Sequence, residues 1–460
     1  MIDHKKVREY IENHKEEILS ELMSLMEIES VQGEAMEGAP FGKGPAEVLA
    51  LMERILEKKG LSHKNHENYA LTADLNDKEI ALDVMMHLDV VPAGEGWTVT
   101  EPFKPLLKED RLYGRGSMDD KGPGIAALYA LLAIRDLGIP VNKNVHLIYG
   151  ANEETGSKDM AYYFAHNEHA PYTISPDSSF PVVNVEKGIM TTGFEISVGK
   201  MGSEGVRIVS IDAGAAPNMV PAIAKAVIDT SSLADMKEVS DKLDQVVMET
   251  GLEIDTEIKD YTIFLTVKGI GAHGSTPHMG KNALTCLIYL LSLLPLAEGG
   301  MKDVILKLSK LFPYGVHDGS GLGVNMSDEV SGPLTLSFNK AEFKNGHFLG
   351  IYDSRVPVCA AKNNCRQMMN EALEKAGFKV VFGGELPAHH VPKESFLVST
   401  LLDSYTAVTG LKKEPLAIGG CTYVHGIENG VAFGLMEESV DNRIHGADEF
   451  IDLAWLYDCI

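Results

Sequence analysis

The stretch "ALDVMMHLDVV", Ala81–Val91, is an apolar run of strand length that ends in two polar residues, His87 and Asp89. In a strand, residues two positions apart point to the same face, so the imidazole and the carboxylate are expected to stand side by side. A His or Asp at a strand end is most often a turn or capping residue, yet ligands of open α/β sheets also lie there. The pair is therefore the first candidate for a functional site.

The segments around this strand alternate between helical and strand-like patterns up to about residue 190. Helical periodicity covers 4–30, 44–59 and 124–137, and short apolar runs occur at 79–86, 145–151 and 172–175. Such alternation is typical of a mainly parallel sheet with helices on both faces. We therefore predict an α/β fold for this part of the chain.

The middle third of the chain has a different pattern. The β-type runs "MTTGFEISV", "GVRIVSIDAG", "YTIFLTVKG" and "PLTLSFNKAEF" are interleaved with helical segments at 236–250 and 282–294. After about Leu386 the first pattern returns, with a helix at 396–409, a strand at "GVAFGLM" and a closing helix from Ala447. We predict a catalytic domain formed by 1–190 and 386–460, interrupted by an inserted α+β lid domain at 191–385.

Length and charge exclude several classes of protein. A chain of 460 residues suits two domains, and its formal net charge of −25 would repel the phosphate backbone of a nucleic acid. No apolar run reaches the eighteen or so residues of a membrane span, and the charged amphipathic start is not a signal peptide. Five cysteines without short paired spacing fit a reducing compartment. We predict a cytoplasmic protein with no nucleic-acid or membrane partner.

Polar residues follow the other apolar runs as well. Asn152, Glu153 and Glu154 follow "VHLIYGA", Asp177 follows "YTISP", Asp119 and Asp120 precede the helix near Gly124, and His445 comes after "GVAFGLM" and a short loop. Because ligands bind outside the carboxyl ends of the strands in such sheets, these side chains could converge in one crevice. Two histidines and at least three carboxylates form the ligand set of a divalent metal pair.

The local order of these residues indicates two further roles. A metal-bound histidine usually donates its other N–H to a carboxylate, and Asp89 can accept that bond from His87. Neighbours in an extended loop point in different directions, so Glu154 can bind metal while Glu153 faces the position of a bound water. Glu153 is therefore the candidate general base.

The motifs "HLDVVPAGEGW", "YGRGSMDDKG", "ANEETGS", "SPDSSFP" and "RIHGADE" occur in this order along nearly the whole chain. Together they resemble the di-metal peptidase and deacylase family that includes carnosinase, aminoacylase, carboxypeptidase G and the bacterial peptidase V type dipeptidases. The segment "HNEHAPYTISPDSSFPVVNVEKG" and the long insertion are most similar to the bacterial dipeptidases.

The resemblance implies a role for each matching residue. His87 and Asp177 would hold one metal, Glu154 and His445 the other, and Asp119 would bridge the two. It gives Asp89 the orienting role and Glu153 the role of base and proton shuttle. Zinc is the expected metal, although manganese and cobalt accept the same ligands.

In the predicted lid, the resemblance implies that His273 of "GAHGSTPH" stabilises the oxyanion, while Asn218 and Arg355 hold the substrate and its terminal carboxylate. An arginine that binds a free carboxylate would restrict substrates to short peptides, so we expect a metallodipeptidase. Asp353 lies on the same strand face as Arg355 and could partly neutralise it. The long insertion resembles the branch in which one chain supplies the whole site, which predicts a monomer.

One alternative function remains open at this stage, and two others are weighed and set aside. An N-acyl amino acid deacylase, such as a desuccinylase or deacetylase, would use the same metal chemistry, and only the lid and the "IGGCTY" loop around Cys421 would discriminate it. "GIGAHG", 269–274, follows the β-type run "YTIFLTV" and precedes a helical segment, as in a dinucleotide-binding oxidoreductase. No regular βαβ series continues after it, and this function would leave the candidate metal ligands unexplained. A catalytically inactive binding protein is a third possibility, although the base and all five ligands are present. His166 and His169 are interpreted as structural residues at a helix end.

Overall fold

The structure is a computed structural model, and it describes residues 4–200, 202–437 and 439–460. The chain divides into two compact units. The first unit comprises Met1–Val185, His390–Leu416 and Cys421–Ile460, and the second unit comprises Glu186–His389 and Ala417–Gly420. The assignment of 1–190 and 386–460 to a catalytic domain and of 191–385 to a lid stays a prediction.

The first unit is built around a mixed sheet. Across this sheet the strands follow the order Ser62–His66, Ala70–Asp74, Asn144–Gly150, Ile80–His87, Tyr172–Ser175, Gly430–Ala432 and Val183–Glu186. The four strands from Asn144–Gly150 to Gly430–Ala432 are parallel, and the flanking strands are antiparallel. The α/β prediction with a mainly parallel centre is therefore confirmed.

Helices cover both faces of this sheet because its central strands are apolar on both sides. In the strand Ile80–His87, Val84 and Met86 belong to one hydrophobic cluster and Met85 to another. The first cluster includes residues of the helices His4–Met26, Lys43–Lys58, Lys121–Asp136 and Leu453–Cys459. The second includes Met160 and Tyr163 of the helix Lys158–Phe164. The helix Phe396–Thr409 packs against Val431 near the edge.

The second unit contains an eight-stranded sheet in which every neighbouring pair is antiparallel. Its strands follow the order Glu253–Lys259, Thr262–Lys268, Ile223–Asp229, Arg207–Ala213, Thr335–Lys344, His347–Val356, Gly188–Ser197 and Lys379–Leu386. The helices of this unit are Leu233–Thr250, Ala283–Ser292, Met301–Leu311 and Arg366–Lys375. Together they bury one apolar cluster, as an α+β unit does. The predicted α+β insertion is confirmed.

Two predicted elements near the C-terminus differ from the structure. The closing helix begins at Leu453 and not at Ala447, because Phe450–Asp452 is a strand that pairs with Arg111–Tyr113. The Asp452 carboxylate then accepts hydrogen bonds from the N–H groups of Ala454 and Trp455 in the first turn of the helix. The run "GVAFGLM" forms two strands, and the second, Leu435–Met436, pairs with Ser178–Ser179.

Shorter elements complete the fold. The remaining strands are Leu106–Lys108, Met219–Val220, Ala272–His273, Ser327–Asp328, Gly332–Pro333, His389–His390 and Leu416–Ile418, and the 3-10 helices are Glu153–Thr155, Pro277–Met279 and Ser320–Leu322. Among the described residues, no helix combines the length and the apolar character that a membrane crossing would require.

Candidate metal centre

The predicted site residues of the first unit lie at strand ends and in adjoining loops. His87 is the last residue of its strand, and Glu153 and Glu154 form a 3-10 turn after the strand Asn144–Gly150. Asp177 follows the strand Tyr172–Ser175. Because these three strands are parallel neighbours, their carboxyl ends meet at one edge of the sheet. The topology thus brings together residues that are far apart in sequence.

Five side chains form two groups that share Asp119. His87 Nε2 lies 3.1 Å from Asp119 Oδ1 and 3.7 Å from Asp177 Oδ2. His445 Nε2 lies 2.9 Å from Asp119 Oδ2 and 3.2 Å from Glu154 Oε2. Within each group, one ligand atom per residue lies within 4.8 Å of the others. These are the five residues assigned to a metal pair from the sequence, and their role as ligands stays a prediction.

The donor atoms of these groups fit divalent cations. His87 Nε2 and Glu154 Oε1 are buried, and neither atom makes a hydrogen bond of normal geometry among the described residues. Burial, together with the Asp119 charge, raises the pKa of Glu154 to about 7, and burial raises the pKa of Asp177 to about 6. A bound cation would supply the positive charge that carboxylates crowded in a buried site require.

The pKa values of the two histidines are also raised, because carboxylates lie next to both rings. Burial alone would lower the pKa of His87, but its carboxylate neighbours outweigh that cost and raise the pKa well above its ordinary value. Hydrogen bonds to Asp119 and Glu154 raise the pKa of His445 to about 11. Since metals bind neutral imidazole, a cation at either position would replace a proton on the ring.

Asp89 connects the strand end to the loop that carries both glutamates. Its Oδ1 accepts the main-chain N–H of Glu153 at 3.1 Å, and its Oδ2 accepts that of Glu154 at 3.2 Å. The nearest acceptor for His87 Nδ1 is the main-chain carbonyl of Asp89 at 3.0 Å, whereas the carboxylate oxygen Oδ1 lies at 3.5 Å. A hydrogen bond at Nδ1 leaves Nε2 of His87 available to a metal.

Glu153 is the candidate base. Burial and the nearby charges of Asp177 and Glu154 raise its pKa well above the ordinary value, against the opposing effect of His87. Its N–H bond to Asp89 fixes the main chain beside the Glu154 ligand position. The arrangement allows one glutamate of the pair to bind a cation while the other carries a proton.

Two further side chains that the sequence did not reveal, Asp159 and Tyr423, support the loop that leads to Glu153 and Glu154. Asp159 accepts the main-chain N–H of Ala151 at 2.6 Å and of Asn152 at 2.8 Å. Tyr423 donates its hydroxyl hydrogen bond to the same carboxylate oxygen of Asp159. Both side chains are buried. Nothing in the sequence links a tyrosine to an aspartate so far away, so only the structure could identify this pair.

The remaining predicted site residues, Asn218, His273 and Arg355, belong to the second unit. Asn218 precedes the strand Met219–Val220, which pairs with Ala272–His273, and its carbonyl accepts the N–H of Gly274 at 2.7 Å. His273 Nδ1 accepts the main-chain N–H of Ser275 at 3.2 Å and lies 2.6 Å from Ser275 Oγ. An acceptor role for Nδ1 places the proton of the neutral ring on Nε2.

Arg355 and Asp353 form a buried ion pair within the strand His347–Val356, with Nε 3.0 Å from Oδ2. Arg355 Nη1 also donates to the carbonyl of Gly419 at 2.7 Å. These two bonds do not use Nη2, so part of the guanidinium fork is left for another acceptor. The expected pairing of the two side chains is therefore present.

Two other sequence features have structural explanations. The glycine-rich run 269–274 contains the short strand Ala272–His273, and the next α-helix begins only at Ala283, which does not fit the dinucleotide-binding pattern. His166 Nδ1 lies 2.9 Å from the carbonyl of Tyr162, and the His169 ring stacks on Phe164. Both histidines thus have local structural contacts.

Comparison with known proteins defines the class. The family model described as "Peptidase family M20/M25/M40" matches residues 84–460 of the chain. The chain therefore belongs to this family, and it is a hydrolase that acts on peptide bonds. The resemblance that the motifs indicated is confirmed.

Particular relatives agree with this class. The chain is 32% identical over 451 residues to "Putative dipeptidase YtjP" of Bacillus subtilis (strain 168), covering 95% of this chain and 94% of that protein. Human carnosine dipeptidase 1 shares the fold with a TM-score of 0.56 at 16% identity, covering 100% of this chain and 96% of that one. Aminoacylhistidine dipeptidase from Vibrio alginolyticus gives a TM-score of 0.58 at 12% identity, with 95% of both chains covered.

Proposed function

We propose that this chain is a metal-dependent dipeptidase that uses two divalent cations. The observation that carries the proposal is the pair of ligand groups that share Asp119, with Glu153 next to the Glu154 ligand position. The similar proteins named as dipeptidases support a dipeptide substrate over an acylated amino acid. The proposed ligands are His87 and Asp177 for one ion, Glu154 and His445 for the other, and Asp119 for both.

Zinc is the proposed metal, because imidazole with carboxylate oxygens suits zinc, while manganese and cobalt accept the same ligands. When bound, such a pair lowers the pKa of a water and polarises the substrate carbonyl. The protein contributes the position of each ligand. Asp89 keeps the main chain of Glu153 and Glu154 in place, and its carbonyl orients the ring of His87.

Glu153 is the proposed general base and proton shuttle. Its carboxylate would take a proton from the attacking water and return it to the leaving amine. His273, with its proton on Nε2, would donate a hydrogen bond to the oxyanion that forms from the carbonyl.

The proposed substrate contacts favour short peptides. Asn218 and Arg355 would hold the substrate, and the unused side of the Arg355 fork suits the terminal carboxylate of a dipeptide. The ion pair with Asp353 would fix the orientation of the guanidinium. A longer peptide would place its carboxylate out of reach of this residue.

The proposal also includes the setting in which the enzyme acts. We propose a cytoplasmic monomer that needs no nucleic acid, membrane or second chain. Light scattering of the purified protein tests the oligomeric state. A dimer would contradict the monomer without affecting the proposed chemistry.

Hydrolysis by the purified chain tests the function. The chain is stripped of metal, supplied with zinc, manganese or cobalt, and given free dipeptides, carnosine, an N-acetyl amino acid and N-succinyl-diaminopimelate. We expect metal-dependent cleavage of free dipeptides, which Glu153→Gln abolishes. Glu168→Gln, which changes a glutamate outside the proposed site, is the matched control and should keep full activity. Cleavage of the acylated compounds alone would replace the dipeptidase by a deacylase.

A further inference from the structure

A buried ion pair lies beside the candidate metal centre in the first unit. Arg115 Nη1 is 2.7 Å from Glu449 Oε2, and the two side chains are 1% and 0% exposed. Arg115 Nη2 also lies 3.3 Å from the carbonyl of Ala93, and its guanidinium lies over the ring of Trp97. Neither charged residue belongs to the predicted ligand set.

Glu449 makes direct contact with the main chain of the shared ligand. Its Oε1 accepts the N–H of Met118 at 3.0 Å and the N–H of Asp119 at 3.3 Å. Its main-chain carbonyl accepts the N–H of Gly114 at 2.9 Å. One residue therefore holds the "YGRGSMDD" loop at both ends of the segment that leads to Asp119.

Glu449 also lies at the end of the loop that carries His445. Arg443, His445 and Asp448 have positive φ angles of 57°, 61° and 59°. Residues other than glycine adopt this region at an energetic cost, so the surrounding structure must hold them there. Glu449 directly follows these residues and is fully buried. It is thus an anchor of the loop that presents His445.

We propose that Glu449, held by Arg115, is a positioning residue for the metal pair. It would fix the Asp119 main chain and the His445 loop relative to each other, so that both oxygens of Asp119 point to their ligand groups before a cation arrives. This inference rests on the proposed metal function. It assigns to Glu449 a role that a buried ion pair serving only the fold would not have.

The affinity of the apoprotein for a metal ion tests this positioning role without an activity assay. The apoprotein competes with a coloured chelator for Zn²⁺, and the visible absorption of the Co²⁺-loaded protein reports the ligand geometry. Glu449→Gln keeps the size of the side chain but withdraws its charge from Arg115 and from the two N–H groups. We expect its affinity to fall about 10-fold to 100-fold, as for other residues that orient metal ligands, with an altered Co²⁺ spectrum.

Glu21→Gln is the matched control. Glu21 is also a buried carboxylate paired with a cation, because its Oε1 lies 3.1 Å from Lys59 Nζ, and its Oε2 accepts the hydroxyl hydrogen bond of Tyr129 at 2.8 Å. It makes no such bond to Met118 or Asp119 among the described residues. Both variants should lower the thermal stability of the apoprotein, but only Glu449→Gln should weaken metal binding.

A second variant covers the case in which Glu449→Gln does not fold. Glu449→Asp keeps the charge beside Arg115 and shortens the side chain, so its carboxylate cannot reach both contacts. Folded Glu449→Asp with weakened metal binding supports the proposal.

Native metal affinity in the Glu449 variants, or an equal loss of affinity in Glu21→Gln, would overturn the proposal. Failure of both Glu449 variants to fold while Glu21→Gln folds would overturn it as well. If the native chain itself binds no divalent cation, the proposed function fails as well, so the two failures are distinguishable.

Discussion

Replacement of Asp89 by asparagine would test whether the carboxylate that joins the strand end to the glutamate loop contributes to activity. Asp89 uses one oxygen for the N–H of Glu153 and the other for that of Glu154, at 3.1 and 3.2 Å. Asparagine keeps one acceptor and turns an NH2 group toward the other N–H. The variant therefore loses one hydrogen bond to a charged group and places two donors against each other.

The expected size of the effect follows from that bond. A hydrogen bond to a charged group contributes about 1.5 to 3 kcal/mol, which corresponds to roughly a 10-fold to 150-fold change in an equilibrium or rate constant. We expect kcat/KM for a free dipeptide to fall by that factor in Asp89→Asn under saturating metal. The loss should lie mainly in kcat, because these N–H groups position the proposed base and not the substrate.

The assay compares Asp89→Asn with the native chain at equal metal occupancy, measured separately by metal analysis. Asp328→Asn is the control, because Asp328 in the second unit also accepts main-chain N–H bonds, from Ser331 and Cys359. It should lose stability and keep its kcat. Native kcat in a fully loaded Asp89→Asn protein would refute the reasoning about the glutamate loop.

Three further predictions concern the second unit. Arg355→Lys keeps the positive charge beside Asp353 but loses the planar fork, so KM for free dipeptides should rise about 10-fold, while the slow hydrolysis of dipeptide amides should not change. Equal losses on both substrates would contradict carboxylate binding. Hydrogen bonds from Ser331 and Cys359 outweigh burial and hold the pKa of Asp328 at about 2, below its ordinary value of 3.8. A carboxyl group with a lowered pKa stabilises the fold above its unfolded pKa and loses this effect as the pH falls. Asp328→Asn should therefore be less stable than the native chain at pH 7. In thermal unfolding, the difference between the two proteins should disappear toward pH 2. Phe194 is fully buried among Phe312, Phe338 and other aromatic rings, and Phe194→Ala should lower the stability of the second unit by about 3 to 5 kcal/mol in urea unfolding. Native stability in that variant would show that the cluster repacks.

The central strands could be predicted from the sequence because their burial leaves a clear pattern. The apolar run before His87 and the run at Tyr172–Ser175 are both strands of the main sheet. The hairpin of Ser62–His66 and Ala70–Asp74 was not predicted, since "SHKNH" is polar and lies at the sheet edge. A strand with one exposed side and an edge position carries little apolar signal.

The candidate site followed from residue types at strand ends, because parallel strands bring their carboxyl ends together. The i and i+2 relation of His87 and Asp89 indicated their proximity, but the bond from Nδ1 goes to the main-chain carbonyl at 3.0 Å. Main-chain acceptors carry no sequence signal. Glu449 and Tyr423 were also missed, since each acts through a contact with a residue hundreds of positions away.

The order of the strands along the chain has a consequence for biosynthesis. Gly430–Ala432 lies between Tyr172–Ser175 and Val183–Glu186 in the sheet of the first unit, although it is made almost last. The second unit, apart from its segment Ala417–Gly420, is complete in sequence by His389. On the ribosome the first unit must therefore wait with an open gap in its sheet until residue 432 has emerged, and His445 follows later still. A nascent or truncated chain that ends before these residues would expose two unpaired strand edges, which makes it a target for chaperones and proteases. Such a chain would also lack His445 of the proposed metal site.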